Sequence, residues 1–143
     1  MELKVKKLDA DAILPHYTTE GAACFDLHAL HGGHILGDDS MIFRTGLSFE
    51  VPEGYALMIY SRSGHGFKNS ARLANCVGVI DSDYRGEVMV KLTTDSIFKN
   101  LDVNQGDRIA QAMLVPVPRV QLVEVAELSE TERGAGGFGS TGK

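Results

Sequence analysis

Asp81 and Tyr84 are the residues of this chain best placed to act on a bound ligand. They lie in the polar stretch 78–87, between the apolar-rich runs 73–80 and 87–94. This pattern predicts a β-hairpin whose tip stands clear of the core, so that the carboxylate and the ring face a cleft. A solvated turn is the alternative interpretation, because turns favour Asp, Ser and Gly in any case.

A second polar segment, residues 61–69, breaks the alternation of apolar and polar residues with small and polar ones. Its composition is typical of an anion-binding loop that includes a short helical turn. His65, within this segment, could add a pH-dependent contact to a phosphate region. Packing within the loop is the interpretation that we favour.

The last segment, residues 130–143, is rich in glycine and has no core pattern, so we expect it to be mobile when no ligand is bound. Residues 134–139 fit G-x-G-x-x-G, and residues 137–143 fit G-x-x-x-x-G-K. We expect neither match to be meaningful, because both motifs place phosphate at the N-terminus of a following helix and the sequence ends at Lys143.

The physical basis of those motifs still applies to the tail. Backbone N–H groups freed by glycine, together with Arg133, Ser140 and Thr141, can wrap a phosphate chain. Phe138 has no packing partner within its own segment. A flat ligand such as a nucleobase would supply one.

The spacing of the histidines and of the cysteines does not predict a metal site. His28, His31 and His34 recur at every third residue, but glycines intervene and no helix would hold that spacing. We therefore predict surface-loop histidines rather than metal ligands. Cys24 and Cys76 lack metal-type spacing, and buried reduced thiols are favoured over a disulfide.

Composition limits the other classes of function. The 143 residues carry a net charge of −5 without a cluster of Lys and Arg, which argues against nucleic-acid binding. No apolar run approaches the roughly 18 residues of a membrane span, and no signal-peptide block follows the N-terminus. We expect a cytoplasmic protein without a membrane partner.

Short strands between turn signals predict an all-β sandwich or barrel. The predicted strands begin near Leu3 and Val5 and continue at residues 22–29, 41–44, 47–51, 55–60, 73–80, 87–94 and 108–115, with residues 121–125 as the last. No window has a 3.6-residue apolar period long enough for a substantial helix. We expect one β domain, residues 1–129, followed by a flexible arm, residues 130–143.

Five ordered segments resemble the motifs of the homotrimeric deoxyuridine triphosphatase (dUTPase) family. They are residues 22–29 (AACFDLHA), 61–64 (SRSG), 78–87 (GVIDSDYRGE), 106–111 (GDRIAQ) and 133–142 (RGAGGFGSTG). The resemblance covers the chain from its first strand to its last residue. Cys24 and His65 depart from it, because the family usually has a small residue at the first position and an aliphatic residue at the second.

The resemblance implies a jelly-roll-like β subunit that forms homotrimers with active sites at the subunit interfaces, each closed by a C-terminal arm. The implied reaction is hydrolysis of dUTP to dUMP and pyrophosphate, which keeps uracil out of DNA and supplies dUMP for thymidylate synthesis. Asp81 matches the general base that activates the attacking water. Tyr84 matches the ring that lies against the deoxyribose, and Asn75 matches the residue that reads the uracil edge.

The resemblance also implies the groups that hold the rest of the substrate. Asp26 matches a carboxylate that holds Mg²⁺ through a metal-bound water, the metal itself being coordinated mainly by the triphosphate. Phe138 matches the ring that stacks on uracil. The remaining matches are phosphate contacts, namely Arg62, Ser63, Gly64, Gln111, Arg133, Gly139, Ser140 and Thr141.

Two other kinds of protein with this fold are the alternatives. A dCTP deaminase-like enzyme would need an acid/base group at the base rather than the phosphate, usually a glutamate in a longer chain. A nucleotide-gated regulatory protein would carry an insertion, and none is evident at this length. Asp83, Arg85, Glu87, Asp107 and Arg108 lie inside the motifs but read as turn, interface or salt-bridge residues.

Overall fold

Short antiparallel strands form most of the computed structural model, which describes residues 1–140. Eleven strands and one helix lie in this range. The strands are β1 Lys4–Lys7, β2 Phe25–His28, β3 Gly33–Leu36, β4 Ser40–Arg44, β5 Leu47–Glu50, β6 Tyr55–Tyr60, β7 Ala71–Leu73, β8 Val77–Ile80, β9 Met89–Thr94, β10 Asn100–Val103 and β11 Arg108–Pro116, and the helix is α1 Ser63–Asn69.

Two larger sheets carry the core. One has the order β2-β11-β6-β8, the other has the order β4-β9-β7, and β1 with β5 and β3 with β10 form two-stranded sheets. Side chains from both larger sheets enter one apolar cluster, for example Leu27 and Ile109 from the first and Phe43 and Leu92 from the second. The all-β prediction is confirmed, as a sandwich-like arrangement without a closed barrel among residues 1–140.

Most of the predicted strands are present. The predicted first strand, near Leu3 and Val5, is β1, which pairs with β5 in a two-stranded sheet, and the run 55–60 is β6 over its full predicted length. Strands β3 and β10, which are short and pair with each other, were not predicted from sequence. The only helix in the described range is seven residues long and has no buried residue, as the lack of a long helical period predicts.

The predicted strand at residues 121–125 is wrong for the isolated chain. This segment has no regular structure, and its apolar side chains are exposed, Leu122 at 91% and Val123 at 66%. The alternation fits a strand, but a strand also needs a neighbour to pair with. No strand of residues 1–140 pairs with it.

The predicted hairpin at residues 73–94 is also wrong. Strand β8 pairs with β6, with Ile80 opposite Leu57, whereas β9 pairs with β4 and β7. Residues 81–88 therefore cross from one sheet to the other. Alternating apolar residues show that a segment is a strand but not which strand it pairs with, and here the partners lie in different sheets.

A tight turn before β8 redirects the chain between the sheets. The Val77 N–H donates to the Asn75 carbonyl at 2.7 Å, and the Cys76 N–H donates to the Leu73 carbonyl at 3.1 Å. Cys76 has a φ of 65°, in the left-handed region. This turn separates β7 from β8, whereas residues 73–80 were predicted as a single strand.

Both cysteines are free thiols, as predicted, but neither is buried, since Cys24 is half-buried and Cys76 is exposed. Among residues 1–140, no helix has the length and apolar character that a membrane span requires.

Candidate active site

An ion-pair network surrounds Asp26 on β2. Its Oδ1 accepts a hydrogen bond from Arg62 Nε at 3.1 Å, and its Oδ2 accepts from Thr18 Oγ1 at 2.9 Å and from Arg108 Nη1 at 3.3 Å. Burial raises the pKa of Asp26, but the Thr18 hydrogen bond and the two guanidinium groups outweigh it and leave the pKa below its ordinary value. Asp26 is thus an anion between two cations, and the local positive charge suits a phosphate ligand.

Direct ligation of a metal ion by Asp26 does not fit this arrangement, because both carboxylate oxygens already accept bonds from cationic groups. Residues 1–140 also contain no group of three or more His, Cys, Asp or Glu side chains able to hold a metal ion. A metal ion that was coordinated by the phosphate oxygens of a ligand and contacted Asp26 only through a water molecule would leave the ion-pair network around Asp26 intact. The water-mediated role of Asp26 stays a prediction.

The segment that includes Arg62 and Ser63 is held by the neighbouring strands. Gln111 on β11 donates from Nε2 to the Ser61 carbonyl at 2.9 Å, and Ser61 Oγ accepts from the Leu73 N–H at 2.9 Å. Helix α1 then begins at Ser63. A cavity of about 470 Å³ opens beside this segment, and it is lined by Ser61, Arg62, Ser63, Gly66, Phe67, Ala71, Arg72 and Gln111.

The structure therefore brings three of the predicted phosphate contacts, Arg62, Ser63 and Gln111, into one cavity. Gly64 follows Ser63 in α1 but does not line the cavity. The cavity has two arginines and no acidic residue in its lining, which favours an anion. Arg72 is the less available of the two, because both oxygens of Asp95 accept from its guanidinium at 2.8 and 2.9 Å.

A groove of about 320 Å³ lies where β8 and β9 separate into different sheets. Asn75, Gly78 and Ile80 line one side, and Met89 and Lys91 on β9 line another. Because β8 and β9 do not pair, no backbone ladder fills the gap between them. Asn75, predicted to read a base edge, is exposed at this groove.

Asp81 follows β8 directly and is exposed. The carbonyl of Asp81 accepts from the Tyr84 N–H at 3.2 Å, which closes a turn. Within residues 1–140 its carboxylate has no hydrogen-bond partner, so its lone pairs are available to a water or a ligand. The Tyr84 ring lies over Gly86, and its hydroxyl donates to the Glu87 carbonyl at 3.0 Å.

The far end of this crossing stretch is fixed to the β4–β5 turn. The carboxylate of Glu87 accepts from Arg44 Nε at 2.9 Å and from the Gly46 N–H at 2.8 Å. The Val88 N–H donates to the Leu47 carbonyl at 2.8 Å, and Ser48 Oγ donates to the Arg85 carbonyl at 2.7 Å. Tyr84 therefore contacts a rigid backbone rather than a free loop.

Four of the predicted arm residues, Arg133, Phe138, Gly139 and Ser140, line neither the cavity nor the groove in the isolated chain. Arg133 Nε donates to the Gly136 carbonyl at 2.8 Å, and the Ser140 N–H donates to the Gly137 carbonyl at 3.0 Å, both within the arm. Phe138 is fully exposed, and Gly139 follows it with a φ of 89°. Thr141 lies outside the described residues.

Three residues near Asp26 were not assigned to the site from sequence. Arg108 was left as a salt-bridge residue, and it does pair with Asp26. Thr18 gave no signal, because only the fold brings it to a carboxylate eight residues away. The imidazole of His65 donates from Nε2 to the Arg108 carbonyl at 2.8 Å, in agreement with the packing role that was favoured for it.

The predicted surface location is wrong for His28. Its side chain is buried on β2, where it stacks on His16 with ring centroids 5.6 Å apart. Burial lowers the pKa of His28, and the neighbouring positive charges of His16, Arg108 and Arg62 lower it further, against the opposing effect of Asp26. His28 is on a strand rather than in a loop, so the three-residue spacing does not bring these histidines together.

Comparison with known proteins identifies the family. A family model described as dUTPase matches residues 10–142. The chain belongs to the dUTPase family. The deoxyuridine 5'-triphosphate nucleotidohydrolase of Nautilia profundicola is 48% identical over 143 residues, 100% of each chain.

Solved dUTPase structures share the fold. A mutant of the Staphylococcus bacteriophage 80alpha dUTPase with dUpNHpp aligns with a TM-score of 0.91 and 25% identity, over 99% of each chain. A mutant dUTPase from phage phi11 of S. aureus, described as revealing the coordination of a structural Mg(II) ion, aligns with a TM-score of 0.83 and 21% identity, over 91% of this chain and 100% of that one. The jelly-roll-like β fold is thereby confirmed.

Proposed function

We propose that this chain hydrolyses dUTP to dUMP and pyrophosphate. Its membership of the dUTPase family supports the reaction. The position of Asp81 supports the chemistry, because its exposed carboxylate has no hydrogen-bond partner within residues 1–140 and follows the strand that lines the groove. This carboxylate is the observation on which the proposal depends.

In the proposed reaction, Asp81 orients a water molecule and takes one of its protons as the water oxygen bonds to the α-phosphorus. The bond from the α-phosphorus to the oxygen that bridges the α- and β-phosphates breaks, and pyrophosphate leaves with that electron pair. A general base of this kind contributes roughly 10²- to 10⁴-fold in rate. Positioning of the phosphates and neutralisation of their charge supply the rest.

Substrate selection is assigned to the groove. Asn75 reads the uracil edge, and the close wall formed by β8 leaves no room for the methyl group of thymine. The ring of Tyr84 lies against the deoxyribose and excludes a ribose 2′-hydroxyl. Both residues are exposed in the chain; Asn75 lines the groove, and Tyr84 lies in the connection at residues 81–88 that joins β8 to β9.

Phosphate binding is assigned to the cavity. A nucleoside triphosphate carries about four negative charges, whereas the chain carries a net charge of −5, so cations must meet the ligand locally. Arg62 is the best placed side chain, with Ser63 and Gln111 beside it in the cavity, and Gly64 follows Ser63 in α1. In the arm, Arg133, Gly139, Ser140 and Thr141 add phosphate contacts when the arm closes, and Phe138 then stacks on uracil.

Magnesium is proposed as the cofactor. The chemistry that Mg²⁺ supplies when bound is neutralisation of phosphate charge. Asp26 would hold it through a water molecule, because the two arginines beside this carboxylate leave no direct metal site. The triphosphate provides the remaining oxygen ligands.

A homotrimer with active sites at the subunit interfaces is proposed as the working form. The exposed apolar side chains of residues 117–128 support an assembled state, because side chains such as Val120 and Leu122 cover no apolar surface in the isolated chain. The groove and the cavity are also open to solvent. Analytical ultracentrifugation at micromolar concentration should give three times the chain mass of 15.5 kDa.

One assay tests the reaction. Pyrophosphate release with Mg²⁺ should be fast for dUTP and weak for dCTP, dTTP and UTP. The same reactions should be followed for ammonia release from dCTP. Ammonia without pyrophosphate would overturn the proposal in favour of a deaminase, and tight dUTP binding without turnover would favour a regulatory protein.

A further inference from the structure

A β-bulge at the start of β11 lies next to the Arg108 carbonyl, a hydrogen-bond acceptor for the cavity residue Arg62. Arg108 lies opposite His28 and Ala110 lies opposite Leu27, so two steps along β11 match one step along β2. Such a bulge disrupts the ladder locally and turns backbone groups in new directions. At this point the Arg108 carbonyl accepts two side-chain hydrogen bonds, from Arg62 Nη1 at 3.2 Å and from His65 Nε2 at 2.8 Å.

These two bonds form a closed arrangement around Arg62. The backbone N–H of His65 donates to the Arg62 carbonyl at 3.2 Å, while the side chains of both residues meet the same oxygen of Arg108. The main chain of His65 therefore holds the main chain of Arg62. The side chain of His65 also connects the first turn of α1 to the Arg108 carbonyl, which is the same acceptor that the Arg62 guanidinium uses. A carbonyl oxygen has two lone pairs, so one acceptor can serve both donors.

The bonds leave one end of the Arg62 guanidinium available. Its Nε donates to Asp26, and its Nη1 donates to the Arg108 carbonyl. Within residues 1–140 the remaining nitrogen, Nη2, has no hydrogen-bond partner. Because two of the three nitrogens are fixed by the protein, the direction of the third is set before a phosphate arrives, which lowers the entropy cost of binding.

We propose that His65 is a positioning residue for Arg62, and that its N–H bond to the Arg108 carbonyl sets the affinity of the phosphate site. This inference rests on the proposed function, because it assigns the site to the phosphates of dUTP. It requires only an N–H donor at residue 65. An aliphatic side chain there would fill the space without making the bond.

Three variants separate this role from simple packing. His65→Leu removes the donor and keeps the bulk, and His65→Gln keeps an N–H donor of similar reach. Asn69→Ala is the matched control, because Asn69 Nδ2 also anchors α1, to the Asn100 carbonyl at 3.1 Å, but does not contact Arg62. For His65→Leu we expect KM for dUTP to rise about three- to tenfold with kcat within about twofold, as for loss of one hydrogen bond used in ground-state binding.

For His65→Gln we expect KM within about twofold of wild type, and for Asn69→Ala no change in KM even if the melting temperature falls. A double-mutant cycle gives the decisive measurement. If His65 acts through Arg62, then His65→Leu should have little further effect on KM in an Arg62→Ala background. Additive effects, no rescue by Gln, or equal KM values for His65→Leu and Asn69→Ala would each overturn the proposal.

Binding of inorganic tripolyphosphate, measured by calorimetry on the same variants, separates this inference from the proposed function. If wild type does not hydrolyse dUTP, the proposed function fails, and the tripolyphosphate affinities still decide the role of His65. A three- to tenfold loss of affinity in His65→Leu, restored in His65→Gln, would support the positioning role. Unchanged affinity would overturn it.

Discussion

The ring of Tyr84 lies against Gly86, so a side chain at residue 86 fits only if the ring moves. A β-carbon placed there would stand 2.5 Å from Tyr84 Cζ and 3.0 Å from Cε2. The Tyr84 hydroxyl is also bonded to the Glu87 carbonyl. The position of the ring is thus set by the backbone of residues 86–87, which Arg44 and Gly46 hold in place through the carboxylate of Glu87.

We predict that Gly86→Ala displaces the Tyr84 ring and weakens sugar discrimination. Because the ring is partly exposed, it can move outward, so the protein should still fold. The ratio of kcat/KM for dUTP to that for UTP should fall by about tenfold or more, since discrimination of this kind depends on close contact. Gly21→Ala is the control, because a β-carbon at Gly21 meets nothing within 4 Å. An unchanged ratio in Gly86→Ala would contradict the role assigned to Tyr84.

Asp81→Asn tests the general base. The amide keeps the size of the side chain but cannot accept the proton from water, so kcat should fall by at least about 10²-fold. Binding of a non-hydrolysable dUTP analogue, measured by calorimetry, should stay within a few fold of wild type. If turnover persists at the wild-type rate, another group must activate the water.

Removal of the arm should separate stability from activity. Within residues 130–140 the hydrogen bonds of the arm are internal, as between Arg133 and Gly136, and no strand of the described range includes it. Truncation before Arg133 should therefore leave the melting temperature and the oligomeric state unchanged and should abolish efficient hydrolysis. Dissociation of the oligomer after truncation would instead show that the arm is structural.

His28 should make the protein less stable in mild acid. Its pKa in the folded state lies below the ordinary value of 6.5 because the ring is buried near positive charges. As the pH falls below about 6.5, the unfolded chain binds a proton that the folded chain does not, so the free energy of unfolding decreases. The decrease is at most about 1.4 kcal/mol for each pH unit from one such group.

Urea unfolding of wild type and of His28→Phe between pH 7.5 and pH 5, at one protein concentration, measures this contribution. The variant should show a flatter pH profile over this interval. Asp26 does not interfere, because its pKa lies below 3.8 and its stabilising effect is lost only in stronger acid. Parallel profiles for the two proteins would show that His28 does not cause the loss.

Local patterns predicted the strands well and their partners poorly. Strand β6 was predicted over its full length because alternation and turn residues are encoded within six residues. The pairing of β8 with β6 rather than β9 depends on contacts between residues that are distant in sequence, such as Ile80 and Leu57. The segment 121–125 alternates like a strand, yet whether it forms one depends on a partner that the isolated chain does not supply.

In the candidate site too, some residues could be predicted from the sequence and others depend on contacts that only the fold creates. Arg62, Ser63 and Gln111 were assigned through the motifs, and the fold brings them into one cavity. Thr18 and the carbonyl of Arg108 could not be found in this way, because a hydroxyl on a loop and a backbone oxygen at a bulge have no signature in the residue types. The burial of His28 was missed for a related reason. His28 falls at the end of the predicted strand 22–29, but the glycines between the later histidines led to a surface-loop prediction for all three.

The separation of β8 and β9 has a consequence for how specificity can change during evolution. The distance between paired strands is set at about 4.8 Å by their hydrogen bonds and cannot be adjusted. Here β8 and β9 belong to different sheets, and two connections link β8 to the sheet of β9, namely the turn at residues 74–76 and the stretch at residues 81–88. Substitutions in these two connections that keep the anchoring bonds of Arg85, Glu87 and Val88 can therefore change the width of the groove while both sheets keep their register, so that nucleobase selectivity can change without any new strand pairing.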